Sequence, residues 1–218
     1  KSIFMIPQML YEQGLVDVVF KKFAKVGYSN TSKNWDNWNT IVNSLQKTDD
    51  VIKIAMVGKY VTLADSYVSV NEALKHASAS IGRSVNIDWI DSETLNGNLD
   101  QLQNFDGLLV PGGFGTRGSE GIIDTATYAL EKNIPYLGIC FGFQLAAVAF
   151  GRKMCNLENA NSTEIVSDTK NPIIDLLPEQ KDETDMGGSL RLGANEIKIS
   201  QDSLARKIYS SDKIFKRH

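Results

Sequence analysis

The sequence predicts an α/β protein in which a mostly parallel sheet is covered by helices on both faces. Between residues 51 and 151, short β-branched apolar runs alternate with longer segments of helical periodicity. That alternation is typical of strands joined by crossover helices, which form parallel sheets buried on both sides. The 218 residues, of which 42% are hydrophobic, are enough for one full domain with a sizeable core and an appendage.

The first half of this region predicts a strand, a helix and a second strand. VIKIAMVG, residues 51–58, is rich in β-branched residues and ends at a glycine. Asp65 or Ser66 can cap a helix that extends to Gly82, with apolar residues at helical spacing. VNIDWID, residues 85–91, alternates apolar and polar residues as a half-buried strand does.

The second half repeats the pattern. FDGLLVPGG, residues 105–113, predicts a short buried strand that stops at its proline and two glycines. Ser119 can cap a helix that ends at Asn133. IPYLGI, residues 134–139, predicts another buried strand.

A last helix is expected over residues 141–150, with Gly151 just beyond it as a stop. In open parallel sheets, ligands bind at the carboxyl ends of the strands. The glycine-rich turns at 111–118 and 138–142 both follow predicted strands. These two turns are therefore the first indication of a functional site.

The flanks of this region have a different character. Residues 1–27 contain an amphipathic helix, a polar link follows over 28–34, and a short helix around Trp38 comes next. This piece is too small to hold a core of its own, so we expect it to dock on something else. Residues 167–186 are acidic and contain two prolines, which predicts an exposed loop or a flexible insertion.

Composition and charge argue against several classes of protein. The formal net charge of −3 leaves no basic surface of the kind that binds nucleic acid. No apolar run approaches the roughly 20 residues that span a bilayer, and the first residues lack the features of a secretory signal. Two cysteines make no disulfide framework. We therefore expect a cytoplasmic protein with no nucleic-acid or membrane partner.

YLGICFGFQ, residues 136–144, places a cysteine between an expected strand and an expected helix. Glycines two residues before and two residues after Cys140 let the backbone turn sharply, as in a nucleophile elbow. The free N–H groups of a helix N-terminus favour a thiolate and can bind an oxyanion. The pattern predicts acyl transfer, in which the Cys140 thiolate attacks a carbonyl and the N–H of Phe141 binds the negative oxygen.

Two other interpretations stay open from the residues alone. Gly113, Gly115 and Gly118 match the G-x-G-x-x-G turn of dinucleotide-binding domains, although the acid expected about 20 residues later is missing. In the other interpretation Cys140 is a small buried hydrophobe, and the chain is a non-catalytic binding module. Cys155 has no comparable turn around it, so we interpret it as a structural thiol.

Several stretches together carry a resemblance to a known family. They are KIAMVGKY, SVNEALKHA, VPGGFGTRGSEG, NIPYLGICFGFQ, ENANSTEI and MGGSLRLG. In this order and spacing they resemble the glutaminase domain of the CTP synthase family, which belongs to the class I glutamine amidotransferases. The resemblance covers residues 51–218 and implies the flavodoxin-like fold of that class. Residues 1–50 resemble the C-terminal tail of the family's synthetase domain, followed by the interdomain linker.

The resemblance implies roles for particular residues. Cys140 matches the nucleophile that forms a glutamyl thioester, and Gly113 matches the glycine that completes the oxyanion hole and contacts glutamine. Glu164 matches the acid that holds the α-amino group of the substrate; without the resemblance it is interpreted as a solvated loop acid. The segment that lines the glutamine pocket matches Phe141, Gly142, Phe143 and Gln144.

The chain departs from the family pattern in two respects. Phe141 and Phe143 stand where the family usually has Leu and Met, which alters the shape of the pocket more than its chemistry. The family's triad is completed by a downstream His-Pro-Glu motif that this sequence does not contain. Of its two histidines, His76 is interpreted as structural and His218 is the last residue. We therefore expect an incomplete glutaminase domain over 51–218 that is inactive by itself.

The resemblance also implies partners and cofactors. The substrate of this domain is L-glutamine, and its ammonia passes to the protein's own synthetase domain, where UTP is aminated with ATP and Mg²⁺. No cofactor or metal is expected in this chain itself. GTP is the expected activator, with the lid region at 111–118 as the segment that transmits its signal. The expected assembly of the whole protein is a homotetramer.

Overall fold

The computed structural model describes residues 3–23, 32–45, 50–61, 65–95, 97–176 and 193–217. The chain forms two compact units, Lys1–Ile174 and Asp175–His218. The expected acidic loop at 167–186 lies outside the described residues from position 177 onward, and His218 also lies outside them. The domain boundary expected at residue 50 stays a prediction.

The first unit begins with three helices and then alternates strands and helices as far as its fifth strand. Its helices are α1 (Ile6–Glu12), α2 (Leu15–Lys22), α3 (Ser32–Ser44), α4 (Val68–Ser80), α5 (Ser92–Leu95), α6 (Ser119–Lys132) and α7 (Phe141–Met154). Its strands are β1 (Val51–Gly58), β2 (Ser84–Asp91), β3 (Gly107–Val110), β4 (Tyr136–Gly138), β5 (Ala160–Ser162) and β6 (Asn171–Ile174). Among the described helices, none has the length and apolar content needed to cross a membrane.

The second unit contains β7 (Ala194–Lys198), α8 (Leu204–Tyr209) and β8 (Lys213–Arg217). The two strands pair antiparallel. The hydroxyl oxygen of Ser203 caps α8 by accepting a hydrogen bond from the N–H of Arg206 at 3.1 Å. Such a cap satisfies one of the N–H groups that a helix leaves without an internal partner.

A parallel sheet in the order β2-β1-β3-β4 forms the centre of the first unit. β1 lies inside it, so that Ala55 pairs with Asp88 on one side and with Leu108 on the other. The strand order reverses between β1 and β3, which makes a topological switch point of the flavodoxin type. The predicted α/β fold with a mostly parallel sheet is confirmed.

Alternate residues of the central strands face opposite sides of the sheet. Ala55 and Val57 of β1 belong to the larger apolar cluster, which they share with residues of α6 and α7. Met56 of β1 and Leu109 of β3 pack on the other side, against residues of α4 such as Leu74. Because helices cover both faces, these strands are nearly continuous apolar runs rather than alternating ones.

The predicted helices of the N-terminal half begin and end differently in the structure. α4 begins at Val68, behind Tyr67 and with no capping side chain, so neither Asp65 nor Ser66 caps it. The single amphipathic helix expected within 1–27 is divided into α1 and α2 at Gly14, whose φ is +80°. Left-handed backbone at a glycine ends one helix without strain, and periodicity alone does not reveal such a break.

The cap predicted for α6 is also wrong, whereas its predicted end is correct. Ser119 is the first helical residue, and the N-cap is Gly118 with a φ of +64°. The Ser119 hydroxyl donates to the carbonyl oxygen of Thr116 at 2.7 Å. At the other end, Asn133 adopts a left-handed conformation with a φ of +53°, as a helix-terminating asparagine does.

α7 continues through Gly151 to Met154, so the stop expected at this glycine is wrong. A Cβ atom at Gly151 would lie 3.5 Å from the Cβ of Ala160 and 3.1 Å from the Cδ1 of Ile173. The glycine therefore lets α7 pack closely on β5 and β6. A glycine that serves close packing and a glycine that ends a helix look alike in a sequence.

The acidic segment expected to be a loop contains a strand in its described part. β6 pairs in parallel with β5, with Asn171 beside Ala160. Ile173 and Ile174 pack against the larger apolar cluster. The two isoleucines bury apolar surface, which outweighs the charge and proline content on which the loop prediction rested.

The N-terminal piece contacts the sheet domain where α3 packs on α4. The indole N–H of Trp38 donates to the carbonyl oxygen of Phe4 at 2.9 Å. The ring of Phe4 in turn meets the ring of His76 edge-on, with 5.7 Å between centroids. His76 thus belongs to a packing contact on the outer side of α4.

We expect Asn133→Ala to destabilise the first unit by about 1 kcal/mol, because alanine resists the left-handed conformation at this position. For a domain of this size the melting temperature should fall by about 2–4 °C. The matched control is Asn133→Gly, which keeps access to that conformation and should leave the melting temperature nearly unchanged. Equal losses in the two variants would contradict the role given to the backbone of Asn133.

Candidate active site

Cys140 occupies a sharp turn between the end of β4 and the start of α7. Its backbone has a φ of +53° and a ψ of −111°, a conformation that residues with a side chain rarely adopt. The cysteine is exposed. The interpretation of Cys140 as a buried core thiol is therefore wrong, and the sulfur lies at the surface in front of a helix N-terminus.

The two glycines that flank the cysteine are required by close contacts between backbone segments. A Cβ atom at Gly142 would lie 2.3 Å from the carbonyl oxygen of Val110, and one at Gly138 would lie 2.5 Å from the carbonyl carbon of Gly142. Real Cβ atoms do not approach other atoms so closely. α7 can start directly against the ends of β3 and β4 because both positions lack side chains.

A tyrosine hydroxyl stabilises the same turn. Tyr136 of β4 donates a hydrogen bond to the carbonyl oxygen of Gly142 at 2.9 Å. Burial raises the pKa of this phenol, so that it stays neutral and keeps its proton for the bond. The N–H of Ile139 donates to the Val110 carbonyl oxygen at 2.9 Å, which joins the turn to β3 as well.

The glycine-rich loop after β3 lies directly beside this elbow. A Cβ atom at Gly112 would be 3.7 Å from the Cβ of Cys140, and one at Gly113 would be 3.6 Å from the Phe141 ring. Gly113 is buried, whereas the Phe114 side chain next to it is 73% exposed. The structure therefore brings together the two glycine-rich turns that the sequence indicated as a site.

The residues after Cys140 face in different directions. The Phe141 side chain is buried in the core with 1% of its surface exposed, and Gly142 lies directly against Val110 of β3. The Phe143 side chain is 64% exposed and lines an apolar groove between α6 and α7, while Gln144 is half-buried. A ligand at Cys140 would therefore meet the backbone of Phe141 and Phe143 rather than their rings.

Glu164, two residues beyond β5, reaches the glycine-rich loop. Its Oε1 accepts a hydrogen bond from the N–H of Gly115 at 2.8 Å. The side chain is exposed but has a defined partner 49 residues away in the chain. A solvated loop acid would have no such contact, so the structure places this carboxylate at the rim of the loop that borders Cys140.

Lys59, which the sequence reasoning missed, lies under the same loop. It follows β1 directly and is only 4% exposed. Its ammonium donates to the carbonyl oxygens of Phe114 at 2.7 Å and Gly115 at 2.5 Å, and lies 4.3 Å from the centre of the Phe141 ring. Burial lowers the pKa of this lysine, and Glu164 opposes that shift. One sequence signal could have identified Lys59 as a site residue: it is a charged residue directly after a strand, at the edge of the sheet where ligands bind.

The dinucleotide interpretation meets unfavourable charge at the start of α6. The surface there is lined by three carboxylates, those of Glu93, Glu120 and Asp124, and by one cation, Arg117, which is already paired with Glu93. The excess of negative charge opposes a bound pyrophosphate. Gly118 has a packing role instead, since a Cβ atom at that position would lie 2.3 Å from the Ser92 hydroxyl oxygen. The G-x-G-x-x-G pattern thus has a structural explanation that needs no nucleotide.

The part of the chain that the structure describes places no histidine beside Cys140. His76 lies on α4, which packs on the face of the sheet opposite to α7. Within the same residues, no group of three or more histidine, cysteine, aspartate or glutamate side chains is arranged to hold a metal ion. The described residues therefore bring no imidazole to the elbow, which exposes a thiol in front of a helix N-terminus.

Comparison with known protein families decides the assignment. The family described as glutamine amidotransferase class-I matches residues 62–218. The chain belongs to this family. The matched residues of the amidotransferase include the Cys140 elbow, the glycine-rich loop and Glu164.

Individual relatives within this family are CTP synthases. The CTP synthase of Halalkalibacterium halodurans is 45% identical over 100% of this amidotransferase chain and 41% of its own length. That of Staphylococcus haemolyticus is 46% identical, again over 100% of this chain and 41% of its own. The chain thus spans about two fifths of the length of the curated relatives that it matches.

A solved structure gives the same result. The glutaminase domain of Trypanosoma brucei CTPS with bound acivicin matches with a TM-score of 0.70 and 33% identity. The match covers 77% of this chain and 66% of that one. The resemblance of this amidotransferase to the glutaminase domain of CTP synthases, predicted from its motifs, is confirmed.

We expect Gly142→Ala to destabilise the amidotransferase unit by about 1–3 kcal/mol, because the added methyl group would collide with the Val110 carbonyl oxygen. Gly151→Ala is the matched control on the same helix. Its added Cβ atom would lie 3.1 Å from the movable end of the Ile173 side chain and 3.5 Å from the Cβ of Ala160, and alanine favours a helix interior, so we expect a smaller loss than at Gly142. Urea unfolding measures both variants. Comparable stability in the two would contradict the close contact at the elbow.

Proposed function

We propose that this chain hydrolyses L-glutamine as part of a CTP synthase, through a glutamyl thioester on Cys140. The observation that carries the proposal is the exposed cysteine with positive φ at the start of α7, beside the glycine-rich loop. The Cys140 sulfur forms a bond to the side-chain carbonyl carbon of glutamine, and the carbon–nitrogen bond then breaks. The nitrogen takes up a proton and leaves as ammonia. Water hydrolyses the thioester to glutamate and restores the thiol.

The tetrahedral intermediate of this reaction carries a negative oxygen that needs hydrogen-bond donors. Phe141 is the first residue of α7, and the first N–H groups of a helix have no partner within it. Gly113 lies close to the same residue, because a Cβ atom at Gly113 would be 3.6 Å from the Phe141 ring. We assign the oxyanion hole to these two backbone segments. The general base is assigned to residues outside the described part of the chain.

Recognition of the amino acid is assigned to Glu164. A carboxylate at the rim of the loop suits the α-ammonium group of glutamine, since a charge-assisted hydrogen bond is about twice as strong as a neutral one. One of its oxygens binds the N–H of Gly115. Support for a ligand of this shape comes from the trypanosomal glutaminase domain, which binds the glutamine analogue acivicin.

The whole-protein activity is proposed from the relatives alone. They are CTP synthases of which this chain spans 41%. In the complete protein, ammonia would aminate UTP at the expense of ATP with Mg²⁺, GTP would activate the reaction, and four copies would assemble in the cytoplasm. Mg²⁺ and ATP are assigned to the synthetase part of the complete protein, as the resemblance implies.

We expect Cys140→Ala in the complete protein to abolish CTP formation from glutamine and to leave CTP formation from ammonium salts largely intact. The thiolate is needed only to release nitrogen, while the amination is a separate step. Both rates are measured on the same preparation. Cys155→Ala, which removes the other exposed cysteine, should change neither rate. Loss of both activities in a folded Cys140→Ala protein would refute the assignment.

We expect Glu164→Gln to raise the KM for glutamine by roughly 10- to 150-fold, which corresponds to the 1.5–3 kcal/mol of a hydrogen bond to a charged group. The amide oxygen can still accept the bond from Gly115, so the loop should stay in place. Steady-state kinetics with glutamine and with ammonium salts measure the effect. Glu158→Gln, at an exposed position nearby, should leave the KM unchanged. An unaltered KM in Glu164→Gln would refute the assignment of this carboxylate to the α-ammonium group of glutamine.

A further inference from the structure

Lys59 is an unusual lysine because it is almost fully buried without a carboxylate as its direct hydrogen-bond partner. Lysine is rarely buried unless it is paired, and removing an ammonium from water is costly. Here the acceptors are two consecutive backbone carbonyl oxygens, those of Phe114 and Gly115. The aliphatic stem packs against Gly113, and the ammonium lies over the Phe141 ring. The residue therefore contacts the glycine-rich loop and the elbow at once.

The peptide unit between Phe114 and Gly115 is held from both sides. Its carbonyl oxygen accepts a hydrogen bond from the Lys59 ammonium at 2.7 Å. Its N–H donates to the Glu164 carboxylate at 2.8 Å. A cation thus faces the negative end of the peptide dipole and an anion faces the positive end, and hydrogen bonds to charged groups are the stronger kind.

A second contact joins the same loop to the same residue. Arg117, near the end of the loop, donates from Nη2 to the backbone carbonyl oxygen of Lys59 at 3.0 Å. Its Nη1 donates to Glu93 at 2.5 Å. The loop is therefore attached to position 59 at Phe114, Gly115 and Arg117. Position 59 directly follows β1, at the switch point of the sheet.

We propose that Lys59 is a positioning residue, which holds the 112–115 loop against the Cys140 elbow in the geometry needed for glutamine hydrolysis. This inference rests on the proposed function and assigns to Lys59 no contact with the substrate. Gly113, the assigned oxyanion donor, lies between the Lys59 stem and Phe141. Displacement of such a donor by about 1 Å costs up to 100-fold in rate.

The test compares Lys59→Met with Lys53→Met in the complete protein. Methionine keeps the unbranched apolar stem of Lys59 and removes the ammonium. Lys53 lies on β1, the strand that Lys59 directly follows, and is exposed, so its replacement is the matched control. Hydrogen exchange of the amides at 112–118 reports how firmly the loop is held. Glutamine-dependent and ammonium-dependent kinetics report the catalytic consequence.

In Lys59→Met we expect exchange at 112–118 to become about tenfold faster or more, with unchanged exchange in α6 and α7. The kcat for glutamine should fall about tenfold or more while KM changes less than about threefold, because the loop donor acts in the transition state. Ammonium-dependent activity should be unchanged, and Lys53→Met should match the parent protein. If Lys59→Met does not fold, Lys59→Gln replaces it, since its shorter amide cannot reach both carbonyl oxygens.

Unchanged loop exchange in the variant would overturn the inference whatever the activity. Faster exchange with an unchanged kcat for glutamine would also overturn it, because the loop would then be held without consequence for the reaction. If the parent protein does not hydrolyse glutamine at all, the proposed function fails and the catalytic role of Lys59 fails with it. The exchange data then still decide whether Lys59 holds the loop.

Discussion

The close approach of α7 to the ends of β3 and β4 is the constraint on which the site depends. The first turn of this helix lies so near the Val110 carbonyl oxygen that Gly142 has no room for a Cβ atom. Gly138 is restricted in the same way by Gly142. The chain must reverse between them, and Cys140 takes up that reversal with a positive φ. The exposed sulfur and the free helix N-terminus behind it are consequences of this packing.

The parallel sheet brings other parts of the chain to the same turn. Carboxyl ends of neighbouring parallel strands meet at one edge, so the residues after β1, β3 and β4 become neighbours. Lys59, the glycine-rich loop and the elbow are far apart in the chain, yet they converge there. Glu164 enters from the separate β5–β6 pair. The candidate site is thus assembled by strand order rather than by any one motif.

Structural features that depend on local sequence patterns could be predicted, whereas contacts between residues far apart in the chain could not. Most strands of the central sheet and the glycine-flanked elbow were predictable, because apolar runs and paired glycines are local patterns. The buried strand expected over 134–139 is the exception, since β4 is shorter and its Leu137 is 56% exposed. The sequence does not reveal the packing role of Gly151 because the strands that lie close to it come later in the chain. The role of Lys59 left no local pattern, since its acceptors are backbone carbonyl oxygens 55 and 56 residues away.

The contacts of the Phe114–Gly115 peptide also determine which way its carbonyl oxygen and its N–H face, which the glycine alone does not fix. Gly115 has a φ of +72°, and glycine populates positive and negative φ about equally well. Steric factors alone would therefore let this peptide flip by half a turn at little cost. After such a flip the carbonyl oxygen would face the Glu164 carboxylate and the N–H would face the Lys59 ammonium. Both electrostatic contacts would change from attractive to repulsive. The two charges therefore hold this peptide in one orientation, although its backbone sterically permits two.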